Sequence, residues 1–354
     1  MAGLVCAARA RELGGVTRLL EKGNRPGGSM LLSSCVIWRY RTLEDYLREC
    51  PGGDERLQRL VVERLDDGLA WLRSLGAPVV WEQTGNPRTV GVRFDPRGLT
   101  NVLARAAGVE LEPAGALRRG EGPVLLATGG FQGDRGLVAE HIGPAAPLRL
   151  RANRWSAGDG LRLGLAAEGD LSAGMDEFYG RNMPDADFSE ADFVSQAQLY
   201  GRFARVFNER GEEFFDGEVS WSENDLVQAT ARQPGARAWY VLDEAALAQG
   251  VRDRSVAELV AVAPTRVEPR ELPFAAPPGA KVAVRVKPGI THTIGGLKVD
   301  DQARVVSRGR PVSGLFAAGA DAGGLSTGGY ASGLAAALVF GRLAAEAAAS
   351  LESR

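Results

Sequence analysis

The chain has 354 residues, of which 45% are hydrophobic and 24% are charged, and its formal net charge is -2. This composition describes a globular protein with a large core, and the length favours two domains. The near-neutral charge, with Lys and Arg spread along the chain, disfavours nucleic-acid binding. No stretch of about 18 uncharged apolar residues occurs and the N-terminus lacks a secretion pattern, so we expect a cytoplasmic protein with no membrane segment.

Three cysteines and two histidines limit the metal chemistry that the chain could support. Cys6, Cys35 and Cys50 show no CxxC spacing, which argues against a zinc site and against a disulfide framework. His141 and His292 do not form an HExxH pattern. We therefore expect no bound metal.

The N-terminus has the pattern of the second half of a βαβ unit. Residues 2–13 have helical apolar spacing, two glycines end the helix, and residues 16–20 predict a short strand that leads into Glu21. Glu21 follows Gly3 by 18 residues, about where a ribose-binding acid follows the last glycine of GxGxxG. The first strand and the first two glycines of such a unit are absent, so we expect a truncated start. The alternative is an ordinary surface helix on a strand, with Glu21 in solvent.

The middle of the chain alternates helical and strand patterns. Residues 43–76 predict one or two amphipathic helices, and 98–107 predict another. Short strands are predicted at 109–111 and 124–127, and the second runs into Thr128–Gly130. A strand that ends at adjacent glycines can bring free backbone amides to a ligand.

Composition changes between about 185 and 285, where acids and scattered aromatics increase and prolines cluster near 264–279. Such a shift favours an inserted domain. A hairpin is predicted beyond it, at 297–306.

The C-terminal part carries the strongest functional pattern. Residues 315–318 predict a buried strand, which is followed by a glycine cluster and an apolar helix from about 331 to 349. Free amides at the helix start would form a site for an anion or for an electron-rich ring edge.

Several segments, in this order, resemble the FAD-dependent oxidoreductases related to the fumarate reductase and succinate dehydrogenase flavoprotein subunits, the FAD-binding 2 type. The matching segments are LLEKGNRPGGS (19–29), LLATGGF (125–131), HTIGG (292–296), GLFAAGADAGG (314–324) and SGLAAALVFGRLA (332–344). Within this family the chain looks most like the branch that includes tricarballylate dehydrogenase, on FNERGEEFFDGE (207–218) and on the Phe-Tyr-Gly and Met-Pro pieces of 178–184.

The resemblance implies an α/β fold, with a doubly wound, Rossmann-like FAD-binding domain and an inserted α+β capping domain. Residues 1–184 would form the first part of the FAD-binding domain, 185–285 the capping domain, and 286–354 the second part. The segment 113–122 replaces a longer strand meander of the family, so this lobe is expected to be shortened.

The resemblance also implies FAD, bound non-covalently, with Glu21 on the adenosine ribose. Many family members carry Glu where this chain has Ala320, and Asp321 is the expected substitute in a bond to a ribityl hydroxyl. The cofactor contacts implied by the resemblance are Gly3, Glu21, Lys22, Gly27, Gly28, Ser29, Thr128, Gly129, Gly130, Gly319, Asp321, Ser332, Gly333 and Leu334.

The chemistry implied is hydride transfer between flavin N5 and a CH-CH unit of a small molecule that is expected to bear a carboxylate. His292 matches the family's substrate-binding histidine, with a charge-assisted hydrogen bond expected, and Tyr330 is the expected proton relay. Thr293, Arg181 and Arg202 are further candidates for binding the substrate. The electron partner is unknown.

Three departures from the family argue against fumarate reduction itself. Trp221 and Ser222 stand where fumarate reductases place the proton-handling arginine, Asn182 lies near the position of a second histidine, and Tyr330 lies near the position of an arginine that grips a carboxylate. Two alternative functions stay open. One is a cofactor-poor, non-catalytic relic, and the other is a ketosteroid dehydrogenase-like flavoenzyme that acts on a bulky ketone. For single residues, His292 as a turn histidine, Tyr330 as a packing aromatic and the two arginines as ion-pair residues also stay open.

Overall fold

The computed structural model describes residues 1–108, 111–113, 122–215, 217–251 and 254–352, with the backbone alone at 111–113 and 352. By internal contacts the chain divides into two compact units. The first unit comprises Met1–Leu137, Asn153–Glu177 and His292–Arg354, and the second comprises Val138–Ala152 and Phe178–Thr291.

The described residues contain both helices and strands, in an order that alternates only in part. The helices are α1 Ala2–Glu12, α2 Leu43–Glu49, α3 Glu55–Ser74, α4 Pro96–Ala107, α5 Arg135–Leu137, α6 Asp159–Ala166, α7 Asn224–Ala231, α8 Glu244–Leu247, α9 Val256–Ala261 and α10 Gly333–Glu352. The strands are β1 Leu19–Glu21, β2 Val36–Tyr40, β3 Val79–Trp81, β4 Thr89–Phe94, β5 Leu111–Pro113, β6 Val124–Leu126, β7 Arg149–Leu150, β8 Phe178–Pro184, β9 Arg205–Phe207, β10 Ala238–Leu242, β11 Gly250–Val251, β12 Arg254–Ser255, β13 Arg266–Val267, β14 Val282–Thr293, β15 Arg304–Ser307 and β16 Arg310–Ala317.

Parallel pairing marks the first unit as mixed α/β. β1 pairs with β5, and β6 pairs with β16, in parallel, while β15 and β16 form an antiparallel hairpin. Among the described residues no ladder joins the β1–β5 pair to the β15–β16–β6 sheet. The start of α1 lies beside both the β1–β5 pair and the β15–β16–β6 sheet. A Cβ on Gly3 would be 3.4 Å from the Leu19 side chain and 3.6 Å from that of Ala127. A separate antiparallel sheet has the order β2-β4-β3.

Local sequence signals set several helix boundaries in this unit. The side chains of Thr42, Asp54 and Asp95 accept backbone N–H groups at the starts of α2, α3 and α4, which satisfies donors that have no partner within the helix. Pro96 opens α4, and Gly108 ends it in the left-handed conformation that glycine adopts without strain.

α10 is the one helix in the described residues that is long and apolar enough to cross a membrane by length and composition. Its most extensive contacts are with α1, and it also packs on α3 and β2. Leu338 and Phe340 are fully buried. α10 is thus a core helix of the first unit in this structure.

The second unit is built on the sheet β13-β14-β10-β9, to which β7 and β8 add through β14. Tyr200, Tyr240 and Val284 lie at its apolar core. The unit starts before and ends after the predicted capping segment 185–285, because β8 pairs with β14.

Two glycine pairs let the backbone of 294–297 lie directly against that of 321–324. Leu297 N–H donates to the Asp321 carbonyl at 2.8 Å, and Gly323 N–H donates to the Leu297 carbonyl at 3.0 Å. A Cβ on Gly296 would stand 2.7 Å from that Asp321 carbonyl oxygen. A Cβ on Gly323 would stand 2.6 Å from the Gly295 carbonyl carbon. The glycines of HTIGG and ADAGG therefore serve close backbone contact between the two motifs.

The elements match the sequence predictions, with differences at the edges. The first predicted strand, 16–20, is shorter and shifted to β1. The predicted hairpin at 297–306 is found as a tight turn, in which Val299 bridges Val305 in antiparallel and the Val306 N–H donates to the Lys298 carbonyl at 2.9 Å. β15 then forms a second hairpin with β16. The predicted strand at 109–111 lies outside the described residues except at Leu111, as does most of 113–122. The doubly wound strand order stays a prediction.

Candidate functional site

A buried carboxylate organises the loop after β6. Asp321 accepts hydrogen bonds from the Thr128 hydroxyl at 3.0 Å, the Gly130 N–H at 3.1 Å and the Gly129 N–H at 3.3 Å, and also from the Thr128 N–H. The Thr128 hydroxyl in turn accepts the Gly160 N–H at the start of α6. The amides that we predicted to face the cofactor hold Asp321 in this structure, and their contact with a cofactor stays a prediction.

The charge of Asp321 is subject to two opposing effects. Its side chain is 1% exposed, and this burial raises the pKa of the carboxyl above its ordinary value. The donors from Thr128, Gly129 and Gly130 act in the other direction, because they stabilise the ionised form. Asp321 thereby fixes the loop after β6 to the end of β16.

Two buried oxygen atoms beside this loop have no hydrogen-bond partner among the described residues: Gln132 Oε1 and Thr293 Oγ1. A Cβ on Gly130 would lie 2.8 Å from the first and 2.7 Å from the second. The orientation of the Gln132 amide follows from its Nε2, which donates to the Gly129 carbonyl at 2.8 Å. Buried oxygens without donors are what a bound polar cofactor can satisfy. Gln132 was not among the residues predicted from the sequence, and its only signal there is its place just after the glycine turn.

The predicted ribose acid lies in a second cluster. Glu21 accepts the Gly23 N–H at 2.7 Å, and Lys22 pairs with Asp159 at 2.6 Å. The Trp155 ring lies against Gly23, since a Cβ there would be 3.1 Å from both Trp155 Nε1 and Glu21 Oε1. Glu21, Lys22 and Trp155 are therefore gathered at the end of β1.

The Pro-Gly-Gly-Ser turn adjoins this cluster. Gly27 and Gly28 both have positive φ, and a Cβ on Gly27 would be 2.9 Å from the Thr100 hydroxyl. Ser29 accepts the Asn153 N–H at 3.1 Å. The glycines are thus required by backbone conformation and space, and a cofactor contact at this turn stays a prediction.

His292 and Tyr330 lie near the start of α10. Their ring centroids are 6.4 Å apart, and the Tyr330 ring packs edge-on to Trp38 at 5.6 Å. A Cβ on Gly333 would be 3.2 Å from the His292 ring. Burial lowers the pKa of His292 to about 4, although part of the residue is exposed. The imidazole is neutral at pH 7, so the charge in the predicted charge-assisted bond would have to come from a carboxylate of the substrate, and this bond stays a prediction.

The side chain of Ser332 caps the start of α10. Ser332 Oγ accepts the Ala335 N–H at 3.3 Å. Gly319, with positive φ, lies where the start of α1 and α10 meet, near Ala2 and Ala337. Of the predicted contacts, Gly319, Asp321, Ser332 and Gly333 are buried or half-buried in the first unit.

The predicted arginines belong to the second unit and are both engaged there. Arg181 is buried, donates to the Ser222 carbonyl and lies over the Tyr179 ring at 5.2 Å. Arg202 donates to the Trp221 carbonyl at 2.9 Å and lies 3.6 Å from Glu223. Their predicted role in binding a substrate stays a prediction.

Two other residues of the second unit have structural partners. Asn182 donates to Thr230 and Tyr240 in the core. Glu223 is 2% exposed with positive φ, and burial raises its pKa. Among the described residues no group of His, Cys, Asp and Glu is placed to hold a metal ion.

The comparison with protein families decides the assignment. Residues 1–109 and 97–334 match the family model FAD_binding_2, described as an FAD binding domain. The chain belongs to the FAD binding domain family. FAD is accordingly its cofactor, and Glu21, Lys22, Gly27–Ser29, the unpaired oxygens near Gly130 and the start of α10 are groups suited to holding it.

Known relatives of this FAD binding domain chain are oxidoreductases. A probable fumarate reductase, Ifc3, of Shewanella frigidimarina (strain NCIMB 400) is 23% identical over 98% of this chain and 73% of that protein. A flavocytochrome c3 fumarate reductase in its open conformation aligns over 99% of this chain and 76% of that chain, with a TM-score of 0.70 and 20% identity. The structure of 3-ketosteroid delta1-dehydrogenase from Sterolibacterium denitrificans aligns over 99% of this chain and 98% of its own chain, with a TM-score of 0.72 and 15% identity. The structural likenesses show the fold, and the family places the chain among FAD-dependent oxidoreductases.

Replacing Glu21 with Ala should weaken FAD binding, because a ribose hydroxyl would lose a charged acceptor. A hydrogen bond to a charged group contributes about 1.5–3 kcal/mol, so we expect an FAD dissociation constant about 10- to 150-fold higher. The measurement is a titration of the apoprotein with FAD, in which binding is detected by the quenching of flavin fluorescence. Glu346→Ala, which removes an acid paired with Arg9 in the same unit, is the control. An unchanged FAD dissociation constant in Glu21→Ala would show that Glu21 stabilises only its own turn and does not contact FAD.

Proposed function

We propose that this chain catalyses FAD-dependent hydride transfer to or from a CH-CH unit of a small, carboxylate-bearing molecule, on a doubly wound FAD-binding domain. The observation that carries the proposal is the grouping of His292, Tyr330 and the start of α10 in the unit that bears the cofactor motifs. When bound, FAD supplies the hydride acceptor or donor for one carbon of the substrate. The chain's own residues must bind the substrate and handle a proton at the other carbon.

Tyr330 is the proposed proton-handling residue. Its ring is half-buried between Trp38 and His292, which restricts its motion. Its backbone carbonyl accepts the Tyr40 hydroxyl at 2.6 Å, which anchors the residue from the other side. A phenol held in this way can donate a proton to a carbanion-like carbon or take one from it.

His292 is proposed to bind the substrate as a neutral imidazole, with Thr293 beside it. A neutral ring donates or accepts one hydrogen bond at each nitrogen, which suits a carboxylate oxygen or a ketone oxygen. Arg181 and Arg202 are proposed as further substrate ligands. The electron partner is a separate donor or acceptor that the chain does not identify.

A second candidate function is oxidation or reduction beside a bulky ketone. It is favoured by the Tyr330 ring, whose centroid lies 6.4 Å from that of His292 and which packs on Trp38, itself packed on Tyr40. It is also favoured because the lowered pKa of His292 leaves the imidazole uncharged at pH 7. The 3-ketosteroid delta1-dehydrogenase with a similar fold makes a steroid ketone the natural probe.

The test is purification of the full chain, addition of FAD, and measurement of its visible flavin spectrum. The reduced flavoprotein is then mixed with an unsaturated dicarboxylate or an unsaturated 3-ketosteroid, and flavin reoxidation is followed without oxygen. Reoxidation by the dicarboxylate supports the first function, and reoxidation by the steroid supports the second. Failure to bind FAD would support the relic and contradict both.

Replacing His292 with Ala should lower turnover of a carboxylate substrate about 10-fold or more without changing FAD content, because one hydrogen bond to a charged group, about 1.5–3 kcal/mol, is lost. The pKa of His292 is about 4 in the folded protein against an ordinary 6.5. The contribution of this group to the free energy of unfolding is therefore fully present above pH 6.5 and is lost as the pH falls toward 4. The kcat/KM profile should therefore show no ionisation of His292 between about pH 5 and 8. A tenfold loss of FAD content with unchanged turnover per flavin would contradict the substrate role.

A further inference from the structure

Arg154 and Trp155 form an exposed planar pair beside the predicted ribose acid. The Arg154 guanidinium carbon lies 4.7 Å from the centroid of the Trp155 ring. Arg154 is exposed and Trp155 is half-buried, so part of the pair faces solvent. Neither residue belongs to the segments that carry the family resemblance, and Arg154 has no role elsewhere in the site.

The pair is fixed in position relative to Glu21. A Cβ on Gly23 would be 2.8 Å from Trp155 Cδ1 and 3.1 Å from both Trp155 Nε1 and Glu21 Oε1. The ring is therefore seated on the turn that also orients Glu21, whose carboxylate accepts the Gly23 N–H. Asn153 also holds this segment, because its side-chain oxygen accepts the backbone N–H of Trp155 at 3.0 Å and its own backbone N–H donates to the Ser29 hydroxyl.

Planar groups next to a diol-binding acid have a chemical meaning. Purine bases stack on aromatic side chains and on guanidinium planes, and the base of a nucleotide is linked directly to its ribose. A ribose bound at Glu21 would carry its base into the immediate surroundings of this turn. Lys22 and its partner Asp159 occupy the same cluster and supply charge, but no planar surface.

We propose that the Arg154–Trp155 pair is the platform on which the adenine of the cofactor stacks, while Glu21 takes the ribose hydroxyls. The ligand class is an adenine nucleotide, and the flavin ring is not needed for this contact. The inference rests on the proposed cofactor role of Glu21.

The chain provides a matched control. Trp71 in α3 also lies under a guanidinium, that of Arg342 at 5.5 Å, and its Nε1 donates to Glu12. Trp71 is half-buried like Trp155 but packs beside α1 and α4. Replacing either tryptophan removes a cation–aromatic pair from the first unit. Only Trp155 adjoins Glu21, so Trp71 is the matched control.

The experiment titrates the apoprotein with FAD, ADP and riboflavin, using flavin and tryptophan fluorescence. Trp155→Leu should weaken FAD and ADP about 5- to 150-fold, the range for loss of one stacked base, and leave riboflavin unchanged. Trp155→Phe should recover part of the loss, and Trp71→Leu should change none of the three titrations. The chain has six tryptophans. The difference in tryptophan fluorescence between wild type and Trp155→Phe during the ADP titration therefore reports the quenching of Trp155 alone.

Two further arms separate the possible failures. Arg154→Lys keeps the charge and removes the plane, so weaker ADP binding in this variant assigns part of the stacking surface to the guanidinium. Unchanged binding in Arg154→Lys together with weaker binding in Trp155→Leu assigns it to the indole. If wild type binds ADP and FAD while Trp155→Leu and Arg154→Lys bind both equally well, the platform is refuted and the proposed function stands. If wild type binds neither flavin nor ADP, the proposed function itself fails. Thermal melting of each variant identifies any loss that arises from unfolding.

Discussion

Replacing Asp321 with Ala should lower the free energy of unfolding by about 3–5 kcal/mol. The change leaves the N–H groups of Thr128, Gly129 and Gly130 and the Thr128 hydroxyl without the acceptor that they share. Each buried donor left unpaired costs about 1–3 kcal/mol, and entry of water into the space would recover part of the sum. We expect this to be among the largest effects of any single acid in the chain, because such losses are rare for point mutations.

Urea denaturation followed by circular dichroism measures this loss. Asp321→Asn keeps one oxygen but places an amide against N–H donors, so it should fall between wild type and the Ala variant. The control is Asp301→Ala, at an exposed acid in a turn of the same unit, which should change stability by no more than about 0.5 kcal/mol. Equal stability of Asp321→Ala and Asp301→Ala would show that the donors find other partners.

The Asp321 variants should also lose FAD affinity, because the loop after β6 would no longer be fixed next to Gln132 and Thr293. The comparison must be made at a temperature where each variant remains folded. Retention of wild-type FAD affinity in folded Asp321→Asn would show that Asp321 serves stability alone.

Replacing Gly323 with Ala should destabilise the protein by about 3 kcal/mol, the upper part of the range for overpacking. The new methyl would meet the backbone of Gly295 and Gly296 and the Ser172 side chain. Backbone atoms cannot turn aside as a long side chain can, so the hydrogen bonds between 294–297 and 321–324 would have to separate. Because His292 lies just before this contact, flavin binding and turnover should fall together with stability.

Thermal melting with and without FAD measures both consequences. Gly122→Ala is the control, since a Cβ there would meet no atom of the described residues within 4 Å, and its stability should stay within about 0.5 kcal/mol of wild type. A melting temperature of Gly323→Ala equal to that of Gly122→Ala would mean that the two backbones can separate without cost.

Local patterns were sufficient to predict several elements of this fold. The helices near Leu43–Glu49, Glu55–Ser74 and Pro96–Ala107 follow from apolar spacing and from Thr, Asp and Pro at their starts, since these signals act within one or two turns. Strand limits were less accurate, as at Leu19–Glu21, because strand pairing depends on partners distant in sequence. The two-unit division likewise depended on β8 pairing with β14, which no local pattern reports.

The sequence by itself indicated the cofactor class, because several glycine-bearing motifs occur in the order of the FAD-dependent family that the chain resembles. Tertiary structure alone decided that Asp321 binds the amides of Thr128–Gly130, that His292 is neutral, and that Arg181 and Arg202 are engaged with 221–223. It also decided that Trp155 lies beside Glu21. The physical reason is that hydrogen-bond partners and pKa values are set by the groups that folding brings together, and those groups lie more than a hundred residues apart at Asp321 and at Trp155.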